Sequence, residues 1–170
     1  VAFAASNVAY QCDIPVRDMM SKLQRDYPER RDMLVKLLGV DLDWRMHQVS
    51  DGQRRRVQIM LGLIKPFRVL LMDEITVDLD LVARQDLLNF LVSECETRGA
   101  CILYATHIFD GLDDWTTHVM YLKAGRTQGV KPLSNFEDWS QRKTRGEHNP
   151  LLRSVEKRMR AERLEENHFE

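Results

Sequence analysis

The sequence predicts an α/β fold built on a parallel sheet, and three observations lead to that prediction. Residues 69–72 form a continuous apolar run, Val-Leu-Leu-Met, which is typical of a strand buried on both faces of a sheet. Residues 101–105 form a second such run, and a helical pattern of apolar residues separates the two. A strand, a helix and a strand joined by short connections indicate a sheet with crossover helices.

Composition limits the function classes. Of the 170 residues, 44% are hydrophobic and 30% are charged, which is the balance of a folded domain. The net charge of -1 provides no basic field that would indicate nucleic acid or an anionic membrane as partner. No apolar stretch approaches the roughly 20 residues that span a bilayer. The three cysteines are scattered without a CxxC pair, which favours a reducing compartment, with the cytoplasm expected and the nucleus as an alternative.

The first half of the chain predicts one short strand followed by three helices. Residues 1–9 predict a short strand that runs into a loop. A helix that starts at Pro15 follows, and Gly39 is placed to end a second helix. A third helix begins near Ser50 and stops at Pro66. The three predicted apolar stripes are Val16, Met19, Met20 and Leu23; Met33, Leu34, Leu37 and Leu38; and Val57, Met60, Leu61 and Ile64.

The second half continues the alternation and then changes in character. A helix ended by Gly99 leads into the strand over residues 101–105, and residues 119–122 predict a further strand before a turn. Residues 131–149 are polar and read as a linker, while residues 150–168 predict a helix that is docked at its start. The predicted stripes are Leu88, Leu91, Val92 and Cys95, and Leu151, Leu152, Val155 and Met159. The predicted domains are therefore residues 1–130 and 131–170.

The first candidate site is the start of the third helix. Ser50 is a good N-cap, and Gly52 allows the backbone to approach another group closely. A helix N-terminus presents N–H donors and partial positive charge, which suit a phosphate. The alternative is an ordinary capped surface helix in which Arg54, Arg55 and Arg56 are solvated.

The other candidates follow the predicted strands. Asp73 and Glu74 close the first apolar run, where Asp73 suits Mg²⁺ and Glu74 is placed to orient or deprotonate a water. His107 follows the second run, in reach of a phosphate oxygen. Asp80 lies in the turn after Glu74. The alternatives are exposed acids at a strand end, a structural histidine, and a plain N-cap at Asp78 or Asp80.

The order of these groups resembles the ATP-binding-cassette (ABC) ATPases from about residue 1 to about residue 129. VSDGQRRR is similar to the family's signature motif, VLLMDE to Walker B with its glutamate, ITVDLD to the segment that ends in the D-loop, and ATH to the switch-histidine strand. The same segments, with YATHIFDGL and the tail NPLLRSVEKRMRAER, resemble the soluble subfamily I proteins typified by the factor associated with the CCR–NOT deadenylase complex.

This resemblance implies a P-loop NTPase-like ABC core with a helical signature subdomain over about residues 14–66 and a C-terminal helix. It implies binding and hydrolysis of ATP with Mg²⁺, and a homodimer or a second ABC domain that sandwiches the nucleotides. The implied roles are Mg²⁺ positioning by Asp73, water polarisation by Glu74, γ-phosphate contact by His107, nucleotide binding by Ser50, Asp51, Gly52 and Gln53, and communication across the dimer by Asp80.

Three features depart from the family pattern. None of the eight glycines precedes a lysine, so the Walker A phosphate loop is not within these residues, and the core is expected to be an incomplete, C-terminal part. The 170-residue chain alone is therefore expected to be inactive and poorly soluble. Asp51 stands where the signature usually has glycine, and its charge should repel a phosphate unless nearby arginines offset it. Ser6 occupies the position of the Q-loop glutamine, with Gln11 as a substitute.

Three functions compete on the sequence. The leading hypothesis is a soluble ABC ATPase subunit with a regulatory rather than a transport role. The rival is a non-catalytic ABC-like module that docks onto a multiprotein complex such as a CCR–NOT-type assembly, favoured by Asp51 and the missing phosphate loop. The third is a DNA-repair or chromosome-structure ATPase, which the absence of a long heptad region disfavours.

Overall fold

The computed structural model describes residues 2–4, 13–21 and 23–166 of the chain. It forms two compact units, Val1–His107 and Ile108–Glu170. The predicted domain boundary after residue 130 falls inside the second unit and stays a prediction. Within the described ranges, no helix has both the length and the apolar content needed to cross a bilayer.

The first unit contains a three-stranded parallel sheet, which confirms the predicted fold class. Its strands are β1 (Ala2–Ala4), β2 (Val69–Asp73) and β3 (Cys101–Ala105), in the order β1-β2-β3. Leu70 of β2 pairs with Ala2 on one side and with Ile102 on the other. The remainder of the strand and loop predicted over residues 1–9, together with Ser6 and Gln11, lies outside the described residues.

The described part of the first unit also contains five helices. They are α1 (Val16–Met19), α2 (Leu23–Asp26), α3 (Pro28–Leu38), α4 (Asp51–Ile64) and α5 (Leu81–Arg98). The single helix predicted through Leu23 is wrong, because Met20 leaves helical geometry and buries its side chain completely. The backbone N–H of Val16 donates to the carbonyl of Trp44, which ties α1 to the turn before α4.

The predicted helix ends are confirmed by local backbone chemistry. Gly39 and Gly99 follow α3 and α5 in the left-handed conformation, with φ of 59° and 63°. Glycine adopts this region without the steric cost of a Cβ atom, so each residue can end its helix. Ser50 and Asp80 are the N-caps of α4 and α5.

The core of the first unit lies between the sheet and the buried faces of α4 and α5. Leu70 and Met72 of β2 are buried, as are most of the predicted positions on the two helices. Three residues predicted on the apolar stripes of these two helices are only half-buried, namely Leu61, Val92 and Cys95. The buried face of α5 is therefore rotated from the predicted face, because Phe90 and Glu94 are buried whereas Val92 and Cys95 are not. On the predicted stripe of α3, Met33 is exposed.

A buried ion pair joins α3 to α5. The guanidinium of Arg30 donates to both carboxylate oxygens of Glu94, at 2.7 and 2.8 Å, and its Nε donates to the Leu63 carbonyl at 2.8 Å. Arg30 also lies against the rings of Phe67 and Phe90, 5.8 and 5.2 Å from their centres. The bidentate geometry fixes the helical region against the helix that follows β2.

The second unit begins with an antiparallel hairpin of β4 (His118–Lys123) and β5 (Arg126–Pro132). The strand predicted over residues 119–122 is therefore confirmed, and its partner was not predicted, because every residue of β5 is exposed and its sequence has no apolar alternation. The segment predicted as a polar linker instead forms a short 3₁₀ helix (Leu133–Asn135) and α6 (Trp139–Thr144), with Leu133 and Phe136 buried.

The predicted C-terminal helix is α7 (Pro150–Glu166). Its start is docked as predicted, because Leu151 is buried and its N–H donates to Asp113 at 2.8 Å. The predicted stripe is only partly right, since Leu152 and Met159 are exposed. Polar contacts replace them: the hydroxyl of Tyr121 donates to Glu162 at 2.9 Å.

Candidate functional site

The carboxyl ends of β2 and β3 bring the predicted acids together with the predicted histidine. Asp73 is the last residue of β2, is exposed, and pairs in register with Ala105 of β3. Glu74 follows it, and His107 lies two residues beyond Ala105. The Nδ1 atom of His107 is 2.8 Å from Oε2 of Glu74. The carboxyl edge of a parallel sheet is where ligands bind in α/β folds, so these three side chains lie at the expected edge.

Glu74 is held in a conformation that few residues of its type adopt. Its φ of 49° is in the left-handed region, which costs a non-glycine residue about 1–3 kcal/mol. Its N–H donates to the carbonyl of Ala105 at 3.0 Å, which continues the pairing of the two strands beyond the end of β2. Its Oε2 atom is shielded from solvent, whereas the His107 side chain is 73% exposed. The carboxylate is thus directed at the imidazole.

The start of α4 forms a complete capping box. The Ser50 hydroxyl accepts from the Gln53 N–H at 3.3 Å, and the Gln53 side-chain oxygen accepts from the Ser50 N–H at 2.9 Å. These reciprocal bonds satisfy two backbone donors that a helix start leaves unpaired. Both predicted nucleotide-binding side chains therefore also fix the first turn of α4.

Asp51 is exposed at the start of α4, with 88% of its side chain in solvent. Arg54 Nη1 is 2.6 Å from its carboxylate. The other two arginines that could have offset its charge bind elsewhere: Arg55 pairs with Asp78 at 3.1 Å, and Arg56 pairs with Asp80. One arginine therefore neutralises Asp51, and two join α4 to the segment after Glu74.

Gly52 at the start of α4 lies against the segment that leads from Glu74 to Asp80. A Cβ atom on Gly52 would lie 3.0 Å from the backbone oxygen of Asp78. Asp80 accepts from the N–H groups of Val82 and Ala83, both at 3.0 Å. The hydrogen bond from Ala83 lowers the pKa of Asp80, and Arg56 lowers it further. Asp80 is therefore an ionised N-cap of α5, as one alternative foresaw.

Sequence reasoning missed two residues that bear on the site. The hydroxyl groups of Thr76 and Tyr104 are 2.5 Å apart, and Thr76 is 1% exposed. Thr76 lies within the ITVDLD segment and Tyr104 within YATH, so both were inside the motifs. The sequence signal that could have identified Thr76 is its polar side chain two residues after Glu74, in a segment whose other residues are apolar or acidic.

The donor set at this edge suits a nucleotide-bound Mg²⁺ ion. Within the described residues, no group of three or more acidic, histidine or cysteine side chains could hold a metal ion by itself. Asp73 offers one exposed carboxylate, and Mg²⁺ commonly binds through one or two carboxylates while it keeps waters and phosphate oxygens as its other ligands. Asp73 therefore fits an ion that arrives with a phosphate ligand.

Comparison with solved structures defines the class of protein. An ATP-binding subunit of an ABC transporter matches with a TM-score of 0.71 and 20% identity, over 85% of this chain and 62% of that one. A dimeric ATP-binding cassette in a post-hydrolysis state, bound to ADP and Pi, matches with a TM-score of 0.63 and 20% identity, over 79% of this chain and 64% of that one. The fold is that of an ABC ATP-binding cassette.

Sequence relatives place the chain within that class, although no family model matches it. ABC transporter I family member 20 of Arabidopsis thaliana is 53% identical over 98% of this chain and 48% of its own length. CCR4-associated factor 16 of Saccharomyces cerevisiae is 52% identical over 67% of this chain and 40% of its own length. The chain belongs to the ABC-type nucleotide-binding domains, and it spans about half the length of the curated relatives it matches.

Proposed function

We propose that this chain is the signature-containing and Walker B-containing part of an ATP-hydrolysing ABC subunit. The observation that supports this most directly is the contact between Glu74 and His107, at 2.8 Å, beside Asp73 on the carboxyl edge of the sheet. A left-handed glutamate persists only where the surrounding structure holds it, and such residues cluster at active sites.

Each residue at this edge has a role that its position supports. Asp73 would hold Mg²⁺, which when bound neutralises charge on the phosphate oxygens. Glu74 would orient the attacking water and accept its proton. His107 lies against Glu74 with most of its ring in solvent, so it can both fix the carboxylate and donate to a γ-phosphate oxygen.

The α4 start would serve a nucleotide held by a second ABC domain. Ser50, Gly52 and Gln53 lie at a helix N-terminus, whose free N–H groups and partial positive charge attract phosphate. The dimeric cassette among the solved structures supports a homodimer or a pair of ABC domains. The Asp51 carboxylate opposes a phosphate there, and its pairing with Arg54 reduces the repulsion.

The test is the substitution Glu74→Gln in the complete natural protein. It keeps the size of the side chain and removes the base, so ATP hydrolysis should fall about 10²–10⁴-fold while ATP stays bound. Glu96→Gln, on the exposed side of α5, is the matched control and should hydrolyse ATP at the unsubstituted rate. Unchanged turnover in the Glu74 variant would remove Glu74 from this role.

The second candidate is a non-catalytic module within a multiprotein complex. One observation favours it: the exposed carboxylate at Asp51, which opposes a phosphate at the start of α4. The yeast relative is named a CCR4-associated factor, so the partner proposed for both functions is a regulatory assembly of the CCR–NOT type in the cytoplasm. The module would be favoured by two results together. The unsubstituted protein would hydrolyse no ATP, and the Glu74→Gln protein would still associate with that assembly.

A further inference from the structure

The strand β3 touches the segment after β2 at two separate points. At the first, the Ala105 carbonyl accepts from the N–H of Glu74 at 3.0 Å. At the second, the hydroxyl of Tyr104 is 2.5 Å from the hydroxyl of Thr76. Ile75 lies between these points and is 1% exposed. The segment is therefore anchored by main chain at Glu74, by apolar burial at Ile75, and by a side-chain hydrogen bond at Thr76.

These anchors bracket the residue with the unfavourable backbone. Glu74 has a φ of 49°, and its backbone strain would be relieved if it returned to the extended or right-handed helical region. Such a return would turn its carboxylate away from Nδ1 of His107. Thr76 is buried, so a movement of the segment that separates its hydroxyl from Tyr104 would break this hydrogen bond at a place to which water has little access.

The Thr76 carbonyl also restrains the residues between Thr76 and the start of α5. It accepts from the N–H of Leu79 at 3.2 Å, which closes a turn between Glu74 and the N-cap of α5 at Asp80. A segment fixed at both of its ends has few alternative paths. The Tyr104–Thr76 hydrogen bond is formed by side-chain hydroxyl groups, so a side-chain substitution can remove it without removing a main-chain hydrogen bond.

We propose that Tyr104, through the hydroxyl of Thr76, is a positioning residue that keeps Glu74 in its left-handed conformation with the carboxylate facing His107. Tyr104 itself contacts no reacting atom in this proposal. The inference rests on the proposed function for its effect on hydrolysis, whereas its effect on the backbone at Glu74 is independent of that function.

The kinetic test is Tyr104→Phe in the complete natural protein. Loss of this part-buried hydrogen bond should lower kcat for ATP hydrolysis roughly ten-fold, which corresponds to about 1.4 kcal/mol in the barrier. KM for ATP should stay unchanged, because the Glu74 orientation matters to the attack on the phosphate rather than to ATP binding. Tyr121→Phe is the matched control: it removes the same atom from a hydroxyl that donates to Glu162 in the other unit, and it should leave kcat unchanged.

Substitutions at Thr76 separate positioning from packing. Thr76→Ser keeps the hydroxyl and should retain kcat, whereas Thr76→Val keeps the shape and should lose about as much as Tyr104→Phe. The double variant Tyr104→Phe/Thr76→Val should resemble either single variant, because both remove the same bond. Additive losses, a raised KM with kcat retained, or an equal loss in Tyr121→Phe would each overturn the proposal.

Hydrogen exchange provides a readout that needs no hydrolysis. In Tyr104→Phe, amides over residues 74–79 should exchange roughly ten-fold faster, while those over residues 50–56 should be unchanged. Unaltered exchange over residues 74–79 would overturn the proposal whatever the kinetics show. If the unsubstituted protein hydrolyses no ATP, the proposed function fails, and the exchange rates still decide whether Tyr104 holds the segment.

Discussion

The buried pair of Arg30 and Glu94 offers the sharpest test of how the helical region is attached to the sheet. The substitution is Glu94→Leu, which removes both carboxylate acceptors of the Arg30 guanidinium and introduces an apolar side chain of similar size. The side chains of Arg30 and Glu94 are only 11% and 7% exposed, so the arginine left behind has little access to water. Its Nε bond to the Leu63 carbonyl remains, but two charge-assisted hydrogen bonds are lost.

The expected loss is large relative to the stability of a domain. Removing one partner of a buried ion pair costs about 3–5 kcal/mol, because the remaining charge stays desolvated. Whole domains have unfolding free energies of about 5–15 kcal/mol, so this one change should remove a substantial fraction. Replacing both partners, with Arg30→Met and Glu94→Leu together, removes the buried charge and should cost far less than the single substitution.

The assay is urea unfolding of each variant, followed by far-ultraviolet circular dichroism. Glu96→Leu, two residues away on the exposed side of α5, is the matched control and should change the unfolding free energy by less than about 0.5 kcal/mol. The reasoning is refuted if Glu94→Leu costs less than about 1 kcal/mol. It is also refuted if the double variant shows the sum of the two single losses, since a coupled pair cannot be additive.

Three further predictions follow from individual contacts. Gly52→Ala places a Cβ atom 3.0 Å from the Asp78 carbonyl oxygen, so the unfolding free energy should fall by about 1–3 kcal/mol, and an unchanged value would contradict that contact. Hydrogen bonds from Arg142, Lys157 and Ser154 hold the pKa of Asp138 well below its usual range. Because the pKa of Asp138 is lower in the folded state, this stabilisation is present above the ordinary carboxyl pKa of about 4 and is lost as pH falls below it. Asp138→Asn should therefore reduce the dependence of stability on acid pH, measured as unfolding followed by tryptophan fluorescence. The 170-residue chain alone should hydrolyse no ATP, and turnover that Glu74→Gln abolishes would contradict this.

Features set by local chemistry were predictable from the sequence. Gly39 and Gly99 end their helices through the left-handed backbone, and Ser50 begins α4 through hydrogen bonds within four residues. The apolar runs of β2 and β3 needed no partner to be recognised, because strands of a parallel sheet are continuously apolar. The approach of Glu74 to His107 was predictable in outline, since both follow neighbouring strands at one edge.

Features set by contacts between distant residues were not predictable. The pairs Arg55–Asp78 and Tyr104–Thr76 join positions more than 20 residues apart, and nothing in either local sequence specifies the partner. β5 is a strand because β4 pairs with it, although its own residues are exposed and include Gly129. The left-handed φ of Glu74 is likewise imposed from outside, because glutamate has no intrinsic preference for that region.

The structure distinguishes the surroundings of Asp51 from those of Gly52 at the start of α4. The Asp51 side chain extends into solvent and meets Arg54 at 2.6 Å, so the change from glycine adds an exposed ion pair, which is worth about 0–1 kcal/mol and meets no obstruction. Gly52 faces the Asp78 carbonyl oxygen, where a Cβ atom would lie 3.0 Å away, so the neighbouring backbone would have to shift by a few tenths of an ångström. Asp51 therefore adds charge at an open surface, while Gly52 lies at a close packing contact between α4 and the segment that continues from Glu74.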